Sequence, residues 1–260
     1  MKRIALVTDF GTRDPYVAAV KGVIASRTDV PVVDLTHEIA PHDVFGAAWF
    51  LRAVVDYWPA GTIFVCVVDP GVGTSRRIIA AESDGKVFLA PDNGLLGLRR
   101  LAATFSVENE SLFLPNGSTT FHGRDRFAPV AAAIANGFAL TDLGPRVSNL
   151  VRLNYDEPQY GKDRVKGSIV AVDRFGNLIT DIEAAKIPFA PFAPFALEAR
   201  DITIDRVERA YAGAAPGAFL IVGSSGCLEI SVANGSAAER LQLRRLERVE
   251  VVAAGVGSHL

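Results

Sequence analysis

The pattern of this chain changes once, near residue 150, and that change restricts its fold more than any other feature. Before it, short β-branched runs alternate with longer segments of helical period, the sign of an α/β layered domain with a central, largely parallel sheet. Strands are expected at residues 4–8, 30–35, 63–68, 78–81 and 87–90, the last two joined by a turn at Ser83-Asp84-Gly85. Helices are expected at 15–26, with Asp14 as N-cap and Pro15 in first position, and at 43–57 and 126–135. The stretch 149–166 is polar, carries Pro158 and Gly161 and has neither periodicity, so the domain boundary is placed there, between a first domain at 1–150 and a second at 165–260. Beyond it the runs 167–172, 178–182, 202–207, 219–222, 228–232 and 249–252 are short, β-rich and separated by turn residues. With no long helix among them, the second domain reads as a small β-barrel or sandwich.

Composition narrows the class of partner. With 260 residues, 49% of them hydrophobic, the chain can bury a substantial core. Its 27 Lys+Arg nearly balance 29 Asp+Glu, a net charge of -2 that gives no long-range attraction for nucleic acid or anionic lipid. The apolar run Ile4-Ala5-Leu6-Val7 is far too short for a signal-peptide core or a membrane span. Cys66 and Cys227 form no C-x-x-C and no zinc spacing, and read as reduced thiols of a cytoplasmic protein.

Several motifs could carry chemistry. In Thr8-Asp9-Phe10-Gly11 an acidic residue ends the first expected strand, where open α/β sheets bind ligands, although Asp9 could equally cap a turn. Asp69-Pro70-Gly71-Val72-Gly73-Thr74-Ser75-Arg76 follows another apolar strand and lacks both the G-K-[ST] and the G-x-G-x-x-G of nucleotide loops. It leaves a carboxylate and a guanidinium seven positions apart across a turn, either a working pair or an ordinary loop ion pair. Phe121-His122-Gly123-Arg124-Asp125 sets an imidazole beside a glycine at the mouth of a helix, with room for a small reactant and a titration range suited to proton handling. His37 and His42 flank Pro41 in what reads as a solvated connector, and His259 lies in the tail. In the second domain, Asp173-Arg174-Phe175-Gly176-Asn177 offers a ring and an amide suited to a purine, or simply a hairpin with a buried Phe. Gly223-Ser224-Ser225-Gly226, leading into Leu228-Glu229-Ile230-Ser231-Val232, is equally ambiguous alone.

In order, the series TDFGTRDPYV, KGVI, DLTHEI, VVDPGVGTSRR, APDNGLL, TFHGRDRFAP, VDRFGNLITDI and SSGCLEI resembles the S-adenosyl-L-methionine hydrolase (adenosine-forming) family, relatives of the fluorinases and chlorinases, from Thr8 to about Ala238. The resemblance implies that Asp69, Arg76 and His122 act together on a water nucleophile. The halogenating relatives carry Tyr in place of Asp69, and the fluorinases Ser in place of Gly123. It further implies that Asp9 binds the ribose hydroxyls, that Asp69 contacts the substrate as well as the water, that Asp173 meets the methionine end and Phe175 and Asn177 the adenine, and that Ser224, Glu229 and Val232 line the same site. Where the family commonly reads I-A-V-N, this chain reads Ile230-Ser231-Val232-Ala233-Asn234, which displaces an Asn by one position.

The implied reaction splits S-adenosyl-L-methionine into adenosine and methionine, with no cofactor and no metal. Methionine leaves ribose C5′ as a neutral thioether, so the demand falls on water, whose pKa is about 15.7. The implied fold is the α/β domain followed by a β-barrel, and the implied assembly is a homotrimer whose sites lie between one subunit's first domain and a neighbour's second. The segment 187–195, with Phe189, Phe192 and Phe195 between prolines, is expected as an exposed extended loop that would suit such an interface. Two other functions use some of the same residues. One is a metal-dependent phosphoesterase built on Asp9, Asp69, Asn93 and His122, which lacks a second well-placed His; the other is a non-catalytic adenosine or S-adenosyl-L-methionine sensor.

Overall fold

The computed structural model describes residues 2–190 and 194–254, which fall into two compact units, Met1–Tyr155 and Asp156–Leu260. The first is built on six strands: β1 (Arg3–Thr8), β2 (Val32–Thr36), β3 (Thr62–Val67), β4 (Ile78–Ser83), β5 (Lys86–Pro91) and β6 (Ala103–Ser106), in the order β2-β1-β3-β5-β4-β6. The pairs β1–β2, β1–β3 and β3–β5 are parallel, and β4 alone runs against both of its neighbours. The expected largely parallel sheet is therefore present.

Alternation along the strands explains why they read as unbroken apolar runs. Ile4, Leu6, Ile63, Val65 and Val67 point to one face, where they meet Val20 and Ile24 of α1 (Tyr16–Ala25) and Val130 and Ile134 of α3 (Ala128–Ala135). Ala5, Val7, Phe64, Cys66 and Val68 point to the other, against Ala47 and Leu51 of α2 (Val44–Val54). Both faces are covered, so neither parity of position can be polar. Each large side chain buried this way, such as Phe64 and Phe88 stacked at 4.9 Å, contributes about 1.5–3 kcal/mol.

Local chemistry sets the ends of these elements. Asp43 caps α2, accepting a hydrogen bond from Gly46 N at 2.9 Å. Asp14 caps nothing: α1 starts at Tyr16 with Pro15 in the cap position and no side-chain cap, because the proline already holds the required φ, at -74°. Asp84 (φ 50°) and Gly85 (φ 70°) form the expected tight hairpin between β4 and β5.

The second unit contains β7 (Gln159–Tyr160), β8 (Arg164–Val172), β9 (Leu178–Glu183), β10 (Phe195–Ala199), β11 (Ile202–Ile204), β12 (Ala218–Val222), β13 (Cys227–Val232), the short helix α4 (Ala237–Leu241) and β14 (Arg248–Ala253). Its strands follow the order β11-β10-β14-β8-β9-β13-β12, with β7 added to β8, and every pair is antiparallel. The ends nearly meet. After Ile204 the chain crosses to β12, where Leu220 N donates to Arg206 O at 2.7 Å and Glu208 N to Leu220 O at 2.8 Å. That crossing is why the expected strand at 202–207 stops early, and it makes the sheet a nearly closed barrel around Val165, Ile169, Leu197, Leu228, Ile230 and Val251.

The Phe-Pro segment corrects an expectation. Ile187 is 2% and Phe189 8% exposed, both part of the barrel core, while Phe195 opens β10 and packs against that core. These rings are spent on the unit's own interior and give no support for an exposed interface loop. Phe192 and His259 lie outside the described residues.

Candidate active site

The chain visits β1, steps to β2 on one side, then returns to β3 on the other, so the sheet changes direction between β1 and β3. Crevices at such switch points, beyond the carboxyl ends of the strands, are where open α/β sheets hold ligands. Thr8 lies opposite Val67 in the parallel register; Asp9 follows the first directly and Asp69 the second after Val68. The Asp9 carboxylate accepts a hydrogen bond from His42 N at 2.9 Å.

Two tight turns account for the seven-residue spacing of Asp69 and Arg76. Val72 N donates to Asp69 O at 3.1 Å and Thr74 N to Gly71 O at 3.2 Å, while Thr74 Oγ1 accepts from Arg76 N at 3.3 Å. Gly73, at φ +80°, is needed for a second reason: a Cβ there would sit 2.7 Å from Thr119 O, so it lets this loop touch the one leading to His122. The chain thus folds Arg76 back onto Asp69. Arg76 Nε donates to Asp69 Oδ1 at 2.9 Å and Oδ2 at 3.0 Å, and Nη2 binds Oδ2 as well. The two side chains are only 5% (Asp69) and 10% (Arg76) exposed, unlike a solvated loop pair.

Arg76 Nη2 also lies 2.8 Å from Nδ1 of His122, a residue 3% exposed. A guanidinium can only donate, so Nδ1 accepts and the proton of the neutral ring sits on Nε2. Burial and the positive charges of Arg126 and Arg76 hold the His122 pKa below its ordinary value, against the pull of Asp69 and Asp125. His122 leads into one π-helical turn, Gly123–Phe127, and the Phe127 ring lies under the Arg76 guanidinium at 5.8 Å. Asp69, Arg76 and His122 are therefore one bonded unit. Gly123 lets the turn pack against two rings, since a Cβ there would meet the Phe10 ring at 3.1 Å and the Phe121 ring at 3.4 Å.

His37 is no solvated connector either. It is 5% exposed, with Nδ1 2.8 Å from Thr8 Oγ1 and Nε2 3.2 Å from Asp34 Oδ1. The register that pairs Val7 with Thr36 brings it alongside β1. Asn93 belongs to the loop after β5, donating to Val68 O at 2.9 Å.

In the second unit the turn between β8 and β9 is a closed hydrogen-bonded knot. Asp173 Oδ1 accepts from Phe175 N at 2.9 Å and Asn177 N at 2.8 Å, and Oδ2 accepts from Asn177 Nδ2 at 2.8 Å. Gly176 is forced by φ +84° and by Ser236 Oγ, 2.1 Å from where its Cβ would be. The knot pushes Phe175 outward, 77% exposed, the opposite of a buried hairpin Phe. A cavity of about 610 Å³ lies beside it, lined by Asp173, Phe175, Asn177, Tyr211, Val232, Asn234, Gly235 and Ser236.

Glu229 stands behind this cavity, 6% exposed, accepting a hydrogen bond from Tyr211 Oη at 2.7 Å. Its pKa is raised by burial and by the nearby Asp173 charge, against the Tyr211 hydrogen bond, and the Tyr211 phenol is pushed up to about 12, by burial first and then by Glu229. Gly223 makes room for this carboxylate: its Cβ would fall 1.6 Å from Glu229 Oε1. Ser224 lies exposed on the following turn and is not among the lining residues. Sequence reasoning missed Tyr211, which sits in a turn with no motif of its own. The displaced Asn234 does line the cavity, from a left-handed position at φ 55°.

Residues 4–144 match the family model for the SAM hydroxide adenosyltransferase N-terminal domain, and residues 167–250 that for the C-terminal domain. Among curated relatives, an (R)-S-adenosyl-L-methionine hydrolase from Thermus thermophilus is 40% identical over 258 residues, covering 94% of this chain and 97% of that protein. Another protein of that name, from Salinispora tropica, is 38% identical, covering 96% and 97%. A crystal structure of a conserved protein from Thermotoga maritima superposes with a TM-score of 0.90 at 32% identity, covering 96% of this chain and 99% of that one. The order of motifs along the chain, the two folds that carry them and these matches agree: the chain belongs to the SAM hydroxide adenosyltransferase family.

Proposed function

We propose that this protein hydrolyses S-adenosyl-L-methionine to adenosine and L-methionine by attack of an activated water on ribose C5′. The observation that carries the reading is the continuous Asp69–Arg76–His122 unit, in a family whose curated members bear the hydrolase name. In this reading the Asp69 carboxylate, which has lone pairs beyond those Arg76 uses, accepts or orients a water proton. Arg76 and the Nε2–H of His122 hold the hydroxide-like oxygen in line with C5′. The departing thioether is neutral and needs no acid. Positioning of this kind contributes roughly 7–11 kcal/mol.

Asp9 takes the ribose hydroxyls. Asp173 takes the methionine end, Phe175 and Asn177 the adenine, and Val232 lines the same cavity, with Glu229 held behind it by Tyr211 and Ser224 assigned on the family resemblance alone. Carboxylates also favour the sulfonium charge of the substrate. S-adenosyl-L-methionine is the substrate, and no further cofactor is assigned. A metal-dependent phosphoesterase is disfavoured by the donor set, because a cation at Asp69 would have to displace Arg76 from both carboxylate oxygens. The described residues also include no group of three or more His, Cys, Asp or Glu that could hold a metal ion. The sensor reading predicts binding without turnover.

The test is incubation with S-adenosyl-L-methionine in heavy-oxygen water and a chelator. Adenosine and methionine should form in equal amounts, with the label on the 5′ oxygen. Unlabelled adenosine, or activity lost to the chelator and restored by zinc or manganese, would refute the mechanism.

The assembly we propose is a homotrimer with sites shared between subunits, which rests on the family resemblance and on the division of the assigned residues between two units. Sedimentation should give a trimer that loses activity on dilution to monomers, and a fully active monomer would sink the shared site. A cytoplasmic location fits the two buried cysteine thiols, and among the described residues no helix is long and apolar enough to cross a membrane.

A further inference from the structure

A chain of side chains in the first unit lies outside the triad. Lys21 Nζ donates to Asp34 Oδ2 at 2.9 Å, Asp34 Oδ1 lies 3.2 Å from His37 Nε2, and His37 Nδ1 lies 2.8 Å from Thr8 Oγ1. With the ring proton on Nε2, facing the Asp34 carboxylate, Nδ1 is left as acceptor for the Thr8 hydroxyl. Thr8 Oγ1 in turn accepts from Phe10 N at 3.3 Å, and His37 O accepts from Gly11 N at 2.7 Å. His37 therefore grips the Asp9 loop twice, by ring and by backbone. Thr8 is 2% and His37 5% exposed, so water cannot substitute for the contact between them.

We propose that His37, acting through Thr8, is a positioning residue that holds the Asp9 carboxylate in place for the ribose hydroxyls. This rests on the ribose role assigned to Asp9 above. The loop's other side-chain tethers are His42 N to Asp9 Oδ2 at 2.9 Å and Thr12 Oγ1 to Glu38 Oε1 at 3.4 Å, His42 and Glu38 both lying in the same connection between β2 and α2. Both tethers come from one connector, so the ring fixes that connector to β1 and thereby fixes the donor at His42 as well. A histidine that merely filled space would not need the paired hydroxyl of Thr8.

The experiment measures adenosine affinity by calorimetry, with KM, kcat and melting temperature, for Asp9→Asn, Thr8→Val, Thr8→Ser and His37→Gln. Thr8→Val keeps the shape and removes the hydroxyl. Asp9→Asn should weaken adenosine about tenfold or more, Thr8→Val and His37→Gln several-fold with KM raised more than kcat is lowered, and Thr8→Ser should restore the affinity. Thr8→Val added to Asp9→Asn should cost little more, because the loop then has no carboxylate to aim. Full affinity in Thr8→Val and His37→Gln beside a loss in Asp9→Asn would overturn the inference and leave the Asp9 assignment standing. Full affinity in Asp9→Asn would overturn that assignment and the inference with it. Losses in kcat and affinity that merely follow the melting temperature, without rescue by Thr8→Ser, would reduce the contact to a structural one and also overturn it.

Discussion

Replacing Asp69 by Asn keeps the outline of the side chain and removes the charge that Arg76 grips with two N–H groups on both carboxylate oxygens. The magnitude depends on how dry the pair is. At 5% and 10% side-chain exposure it belongs with buried pairs, where losing one partner costs about 3–5 kcal/mol, and not with surface pairs at about 0–1 kcal/mol. Asn retains one acceptor oxygen for Arg76, so the lower end applies, about 3 kcal/mol. For a unit of this size that lowers the melting temperature by roughly 6–12 °C. The rate should suffer separately. A group that orients or accepts a proton in the transition state is worth about 10²–10⁴ in kcat, whereas binding of the substrate, to which Asp69 is only one of several contributors, should persist. Calorimetric melting, ligand titration and single-turnover release of adenosine measure the three effects on one preparation. Arg76→Ala and His122→Ala should behave alike, and combining them should cost much less than the sum, since a bonded triad fails as one unit. Near-normal turnover in Asp69→Asn would refute the catalytic role, and an unchanged melting point would refute the burial argument.

Two further outcomes follow from the electrostatics and the packing. His122 has a folded pKa below its unfolded one, so as pH falls below about 6.5 the unfolded chain takes up a proton that the folded protein refuses, and stability declines with acidity. Turnover should hold through neutral pH and fall in acid, when protonated Nδ1 can no longer accept from Arg76; denaturation at pH 7 and pH 5 should show a smaller difference in His122→Ala, and an equal one would refute the shift. Gly223→Ala places a Cβ 1.6 Å from Glu229 Oε1 and must move that carboxylate away from Tyr211. Adenosine affinity should drop about tenfold, the worth of one hydrogen bond to a charged group, and unchanged affinity would remove Glu229 and Tyr211 from the pocket.

The features legible in the sequence are those whose cause is local. Strands covered on both faces announce themselves as apolar runs, hence β1, β3 and β5, and the glycines between Asp69 and Arg76 announce a turn able to bring those two together. What escaped depends on contacts between distant segments. β6 has only four residues, and β10 lies in an alanine-rich stretch whose strand state comes from pairing with the distant β14, Phe195 opposite Ala253. His37 looked like part of a loop because only the pairing of β2 with β1 buries it. Tyr211 gains its place from Glu229, which lies 18 residues away. Within the Asp173 motif, the sequence left Phe175 as either a stacking ring or a buried hairpin Phe, because the exposure of the ring is set by the hydrogen bonds that Asp173 gathers to close the turn.

The strand order of the barrel has a consequence for how this protein is made. β14 lies between β10 and β8, and its Arg248 pairs with Ser168, 80 residues earlier. During translation β8 and β10 are both made well before the strand that separates them, so each waits with a bare edge and part of an apolar face uncovered. The α/β unit draws its strands and helices from residues already synthesised and can be complete while the barrel is still open. The vulnerable period for aggregation or proteolysis therefore falls late in synthesis, and destabilising changes in β14 should lower the yield of soluble protein more than equally destabilising changes in β1.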